Sequence, residues 1–484
     1  WIDLEMTDPN GDSIYTAQIP AQDHRHLIRY RIETSDTAGA GLTAPFDDDE
    51  QPNFAYFVYD GIPAWTGANR PGIDALETFQ PFLLDDLPAY HLIADASDVT
   101  TSQYRNSAEN RRFQGTMIYD GVVYDHIEFK IRGEFSTYQS GKNKWRFFFN
   151  PAREFEARDN FGKKYQEPWD ELTMNACASP WAAVNRGMSG LDEGLSYRAF
   201  QLAGMASPNT NYLHFRVVDE SIEADPSDQY RGDLWGLYLA IEQPDGSFLD
   251  ERNLPDGNMY KIEGGGAGTG DKKHQASNQP TNSSDWSTFS SQSNRTNTEA
   301  WWRENLDLES YFSYRALNRA LGNVDLRDGW NHYFYHSRNP DGTPGKWVPV
   351  AWDLDMMYIC LRHQGGTIRQ RNSLRIPALA IEFKNHCREI LDLMLSDSAP
   401  DGGQIGQLID EFAQIVNPVG ETLTWADLDR HMWNYHTRTR TSGSAQTNHK
   451  RSFHKTPYTD TRFAGSWTRT LSSRDFEGSQ NYIL

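Results

Sequence analysis

The chain has 484 residues, 38% of them apolar, 23% charged and 13% aromatic, enough bulky surface to outweigh the entropy of ordering and exclude global disorder. Lys and Arg total 46 against 67 Asp and Glu, a formal charge of −21, which excludes the basic footprint of a dedicated nucleic-acid binder. No run of about 18 apolar residues occurs, so no transmembrane helix is expected, and the length allows about three domains or one large domain with a small companion.

The opening Trp1–Met6 lacks an initiator methionine and an apolar leader, so the chain reads as a piece of a longer, multidomain protein. Residues 1–60 carry alternating strand text at 13–19, 27–33 and 54–59, separated by Asp, Gly and Pro clusters. That spacing predicts part of an immunoglobulin- or fibronectin-like β-sandwich, shorter than a whole one. The turn at 8–12, Asp-Pro-Asn-Gly-Asp, lacks the glycine position of an EF-hand loop and reads as a solvated turn, with a structural Ca²⁺ as the alternative. Residues 61–74, rich in Pro and Gly, read as a linker into a main domain over 75–484.

Within that domain, strand text at 112–119 and 122–131 flanks a Tyr119-Asp120-Gly121-Val122 hairpin signal. Helical periodicity follows at 191–202, 306–321, 374–395 and 404–415. Strands followed by helices, without steady βαβα alternation, predict an α+β domain. The polar, Gly- and Ser-rich stretch at about 264–298 predicts a flexible insertion; its glycines match neither a Walker loop nor a Gly-x-Gly-x-x-Gly register. Cys177, Cys360 and Cys387 are too few and too widely spaced for a disulfide framework, and are expected to be free or buried, with one bridge left open.

Two segments carry chemistry. Arg132-Gly133 and then Lys142-Asn143-Lys144-Trp145-Arg146 place four cations near a glycine turn, and an alternating strand there aims them at one face, where they can neutralise phosphate oxygens or lie in solvent. Further on, 323–335 and 345–355 read as two strands joined by a Gly/Pro turn that bring Asp325, Asp328 and Asn331 near Asp353 and Asp355. Carboxylates set in aromatic and aliphatic text are costly to bury without a cation, so Mg²⁺ with a nucleotide fits this oxygen-rich set, which lacks paired histidines; a structural cluster of capped turns is the alternative.

In this order these motifs resemble the CotH-type spore-coat kinases, atypical kinases, along most of 75–484; further matching text is Tyr238–Leu249, Asn258-Met259-Tyr260-Lys261 and Trp352-Asp353-Leu354-Asp355. The resemblance implies a divergent protein-kinase-like α+β fold. It also implies transfer of the ATP γ-phosphate to Ser or Thr of a protein, with Mg²⁺ or Mn²⁺. Carried over, Lys142 is the phosphate lysine with Lys144 as alternative, and Arg132, Arg146 and Lys261 join them as ATP-binding cations. Glu242 is the lysine's ion-pair partner, Asp325 the residue that accepts or orients the acceptor hydroxyl, and Asn331, Asp353 and Asp355 the metal ligands. Asp325 and Asn331 are six apart where the family usually has five, so Asp328 competes for the base role. The N-terminal strands resemble pieces of large secreted bacterial proteins, which implies a secreted or cell-surface location. A catalytically silent kinase-like module in a surface structural or adhesion protein is the alternative, and a carbohydrate-active protein, suggested by the aromatics and carboxylates, the third.

Overall fold

The computed structural model describes residues 1–433 except 70, 73, 104–109, 134–141, 178–188, 221, 264–268, 324, 327–329, 359–367 and 395–402. Its first part consists of short antiparallel ladders: β1 (His26–Tyr30) with β4 (Phe54–Val58), β2 (Ile32–Ser35) with β3 (Gly41–Ala44), and β5 (Trp65–Gly67) with β6 (Glu77–Phe79). These are three separate two-stranded ladders, and residues 13–19 contribute only the isolated Thr7–Thr16 bridge. This segment is ion-paired onto the rest of the chain. Arg29 lies 2.7 Å from Asp125, and Arg25 lies 2.6 Å from Asp233. The expected linker is likewise built in, with Trp65 buried 5.6 Å from Phe79. Asp8 turns its carboxylate onto the backbone N–H groups of Gly11 and Ser13, at 2.7 and 2.9 Å, so it closes a turn of its own.

Seven strands then close into a barrel: β7 (Ala89–Ile93), β8 (Phe113–Tyr119), β9 (Val122–Arg132), β10 (Lys144–Phe148), β11 (Glu171–Asn175), β12 (Thr210–Val218) and β13 (Leu234–Glu242), in the order β10-β11-β13-β12-β7-β8-β9. Every ladder is antiparallel except β12 with β7. The β8–β9 hairpin pairs Tyr119 with Val122 across Asp120 and Gly121, both at positive φ (51° and 73°), as a two-residue turn of this twist requires. Alternation sorts the β9–β10 side chains by face. Phe129, Ile131, Trp145 and Phe147 fill the barrel, while Lys130, Arg132, Lys144 and Arg146 stand on its outer face.

A second sheet, β14 (Gly257–Glu263), β15 (Thr269–His274), β16 (His332–Arg338) and β17 (Pro344–Ala351), runs in the order β15-β14-β16-β17. The stretch expected to be a flexible insertion supplies β15 and the helix Ser284–Ser293. Trp286 and Phe289, three apart and so on one helix face, pack on Trp347 at 5.4 and 5.0 Å. Two aromatics at helical spacing outweigh the polar text around them.

The four periodic stretches form helices Leu191–Leu202, Leu308–Ala320, Pro377–Met394 and Gly403–Val416. The α+β class holds, and the closed barrel is an element the strand text does not predict. No helix among the described residues is long and apolar enough to cross a membrane. Cys177 and Cys387 are free thiols, the first buried; Cys360 lies outside the described residues.

Candidate active site

Five elements converge where one end of the second sheet meets the outer face of the barrel. Arg132 and Lys144 are direct cross-strand partners on β9 and β10, so their side chains leave the barrel side by side. Like charges so placed repel, and carboxylates from the other sheet offset them. Lys144 Nζ lies 2.5 Å from Asp355, and Arg132 Nη2 lies 3.6 Å from Asp353. Arg132 also sits 5.0 Å over the Trp352 ring. Its Nη1 is buried with no hydrogen-bond partner among the described residues.

Helix Leu191–Leu202 brings two further carboxylates, Asp192 and Glu193, in its first turn. Its N-cap, Gly190, has φ 78°, and a Cβ there would stand 2.7 Å from Cys177 Sγ, so only glycine lets the helix start this close. Tyr197 on the same helix accepts a hydrogen bond from the Asp353 backbone N–H at 3.2 Å and donates to Glu193 Oε1 at 3.4 Å. Glu193 Oε2 is buried with no hydrogen-bond partner among the described residues.

Electrostatics divides the carboxylates into two kinds. Burial pushes Asp353 towards its neutral form, but Arg132, Lys144 and Lys261 around it win and hold it below the usual carboxylate range. Burial, with Asp355 nearby, pushes Asp192 up to about 8 and Glu193 well above the ordinary range. Burial works against the charge of Lys144 too, but Asp355 and Asp353 raise its pKa overall. Lys261 is lowered, by burial first, despite its ion pair with Glu263. The ionised centre is thus Asp353 among three cations, beside two carboxyls that burial pushes towards their neutral form.

Asp325 and Asn331 form a second pair. Helix Leu308–Ala320 ends before Asn323, whose side chain accepts the N–H groups of Asp325 and Leu326 at 3.0 Å each and so turns the chain. Asn331 Nδ2 donates to Asp325 Oδ2 at 2.8 Å and to its carbonyl at 3.2 Å, which leaves the amide oxygen for a cation. The β16–β17 register pairs His332 with Ala351, so the Asn331 and Trp352-Asp353 segments adjoin the same end of the second sheet. Asn331 and Asp353 both have left-handed backbone, φ 65° and 57°. Asp328 lies outside the described residues.

Other expected site residues go elsewhere. Lys142 is buried against Asp429 of helix Trp425–Trp433 at 2.7 Å and bonds the Leu237 carbonyl; it stands before β10 begins, so strand alternation does not set its direction. Of the two candidate lysines, Lys144 is the one beside the aspartates. The buried partner of Glu242 is Arg252, at 2.6 Å, and not a site lysine. Arg146 pairs with Glu171, two residues along β10 from Lys144. Among the described residues no three His, Cys, Asp or Glu side chains converge as a ready-made metal site. Asp192, Glu193 and Tyr197 are additions no sequence signal marked, since acidic residues opening a helix ordinarily serve its dipole.

A family model described as CotH kinase protein matches residues 129–386, which include the Arg132–Lys144 pair, helix Leu191–Leu202 and both aspartate segments. No curated protein matches the chain.

Proposed function

The chain belongs to the CotH kinase family, and from that premise we propose that it is an atypical protein kinase, moving the γ-phosphoryl group of ATP to Ser or Thr hydroxyls of a protein. The observation that carries the reading is the buried Arg132 Nη1, a donor without an acceptor, beside an aspartate kept ionised by three cations. A guanidinium donor left over in such a place suits a phosphate oxygen.

Each residue then has a task. Arg132, Lys144 and Lys261 hold phosphate oxygens, and Lys144 does so by sharing itself between them and Asp355. Asp325 accepts the proton of the acceptor hydroxyl, with Asn331 fixing its carboxylate. Asp353 and the Asn331 amide oxygen are the residues that would hold Mg²⁺, with Asp355 beside them; a bound Mg²⁺ supplies positive charge to the phosphate oxygens. Few protein oxygens are what this ion needs, since it takes one or two carboxylates plus substrate phosphates. We place the protein in a bacterial coat, at the cell surface or in the secreted fraction, as the family's spore-coat members suggest.

The tight Lys144–Asp355 pair favours one second reading, a silent kinase-like module whose phosphate lysine is already spoken for. Incubation with labelled ATP and Mg²⁺ separates the two. Phosphate incorporated by the wild type and lost in Asp353→Asn supports the kinase; nucleotide bound without transfer supports the silent module.

A further inference from the structure

The Arg132–Lys144 pair is not the only like-charged cross-strand pair on the outer face of the barrel. Two residues along, Lys130 lies directly opposite Arg146, and Arg146 lies directly opposite Thr173 on β11. Facing cations destabilise a ladder unless something offsets them. In the first pair Asp353 and Asp355 do so. In the second, Glu171 offsets Arg146 while Glu128 is engaged by Arg112 at 2.7 Å, so it is the Lys130 charge that has no paired carboxylate. The Lys130 side chain makes no hydrogen bond or ion pair with any described residue. Two more donors of the row are buried without partners among the described residues, Arg146 Nε and Thr173 Oγ1, and Thr173 is wholly buried. The guanidinium groups are held in place: Arg112 lies 3.6 Å and Arg146 5.0 Å from the Phe148 ring. Lys273 of β15 adds positive charge from the facing sheet.

We propose that the Lys130–Arg146–Thr173 row is an oxyanion subsite that holds an acidic or phosphorylated side chain of the acceptor protein. An ammonium, a guanidinium Nε–H and a hydroxyl that lack acceptors are the donor set a carboxylate or phosphoryl group satisfies. The row is two residues from the Arg132–Lys144 pair, a step of about 6–7 Å along a strand, which matches the reach from an acceptor serine to a residue one or two positions away. Its role in acceptor choice rests on the phosphotransfer reading; its binding chemistry does not. Burial, with Arg146 and Arg112 adding to it, lowers the pKa of Lys130, a cost that a bound anion reverses.

The test is binding to the full chain without nucleotide, read by fluorescence anisotropy of labelled serine peptides flanked by glutamate, phosphoserine or glutamine. Glutamate and phosphoserine peptides should bind at least about tenfold more tightly than the glutamine peptide, the scale of a charged hydrogen bond. Lys130→Glu should remove that preference and leave Mg-ATP affinity unchanged. It should also raise the unfolding midpoint, because it turns a repulsive cross-strand pair into an attractive one. A binding loss with a stability gain is an outcome a purely structural lysine does not produce. Equal binding of the three peptides, or a preference that survives Lys130→Glu, overturns the proposal. So does a parallel fall in Mg-ATP affinity, which assigns the row to the nucleotide, or binding of inorganic phosphate alone with no peptide discrimination. Failure of the kinase reading looks different: ATP is bound without transfer while the peptide preference stands.

Discussion

Exchanging each of the two lysines for methionine separates scaffold from site. Methionine keeps the apolar stem and removes the charge. Lys142 Nζ lies 2.7 Å from Asp429 Oδ1, and that oxygen also accepts the Leu237 N–H at 2.8 Å. At an effective dielectric of about 20 this separation is worth about 6 kcal/mol before desolvation. Desolvation of both groups takes back part, and removing one partner of a buried pair costs about 3–5 kcal/mol. Burial already raises the Asp429 pKa against the opposing pull of Lys142, so in Lys142→Met it takes up a proton and the loss should fall near 3 kcal/mol. Urea unfolding should show that loss with an unchanged m-value, and calorimetry on the folded variant should find wild-type Mg-ATP affinity. Lys144→Met also removes one ion-pair partner of the half-buried Asp355, but it alone should weaken Mg-ATP binding, by tenfold or more. If Lys142→Met unfolds within about 1 kcal/mol of wild type while Mg-ATP binding disappears, the assignment of the two lysines is reversed.

Asp325→Asn should leave Mg-ATP binding nearly intact and slow transfer by about 10²–10⁴, whereas Asp353→Asn should weaken both and abolish the gain in nucleotide affinity that Mg²⁺ gives over chelator; transfer assays beside calorimetry read the split. A pH series tests the carboxyls by sign. Asp192 is raised to about 8, so the folded state binds its proton more tightly and stability falls as pH rises from its ordinary 3.8 towards 8; Asp192→Asn should show no advantage at pH 3.5 and a growing one up to pH 8. Asp353 is lowered, so its contribution is present above 3.8 and lost as pH falls through its folded value, and Asp353→Asn should flatten the acid limb. Trp286→Ala should cost about 3–5 kcal/mol in chemical unfolding, a loss that a dispensable insertion could not produce.

Local signals in the sequence survived folding, and long-range ones did not. The Asp120-Gly121 turn was readable because both positions demand positive φ, and helix Leu191–Leu202 because its apolar period is complete. Barrel closure depends on β12 meeting β7 in parallel, a ladder between residues over a hundred positions apart that leaves no trace in either strand's text. The polar stretch misled because Trp286 and Phe289 are two residues among many, yet both are buried. At the site, Asp325 with Asn331 and the cationic strand were legible as residue types. The choice between Lys142 and Lys144 was not, since it turns on where β10 begins. Asp192 and Glu193 escaped notice because only the tertiary fold carries that helix end to the aspartates.

The left-handed backbone at Asp353 governs which substitutions the position can accept. A β-branched or bulky residue is a true outlier at φ 57°, and alanine carries a steric penalty there, whereas asparagine and glycine adopt this conformation readily. Asparagine has nearly the shape of aspartate, so it removes the charge among Arg132, Lys144 and Lys261 without moving the chain. The mutational path of least resistance away from the carboxylate therefore runs through Asn or Gly at this one position, and a lineage that lost that charge while keeping the fold would be expected to carry one of those two residues here.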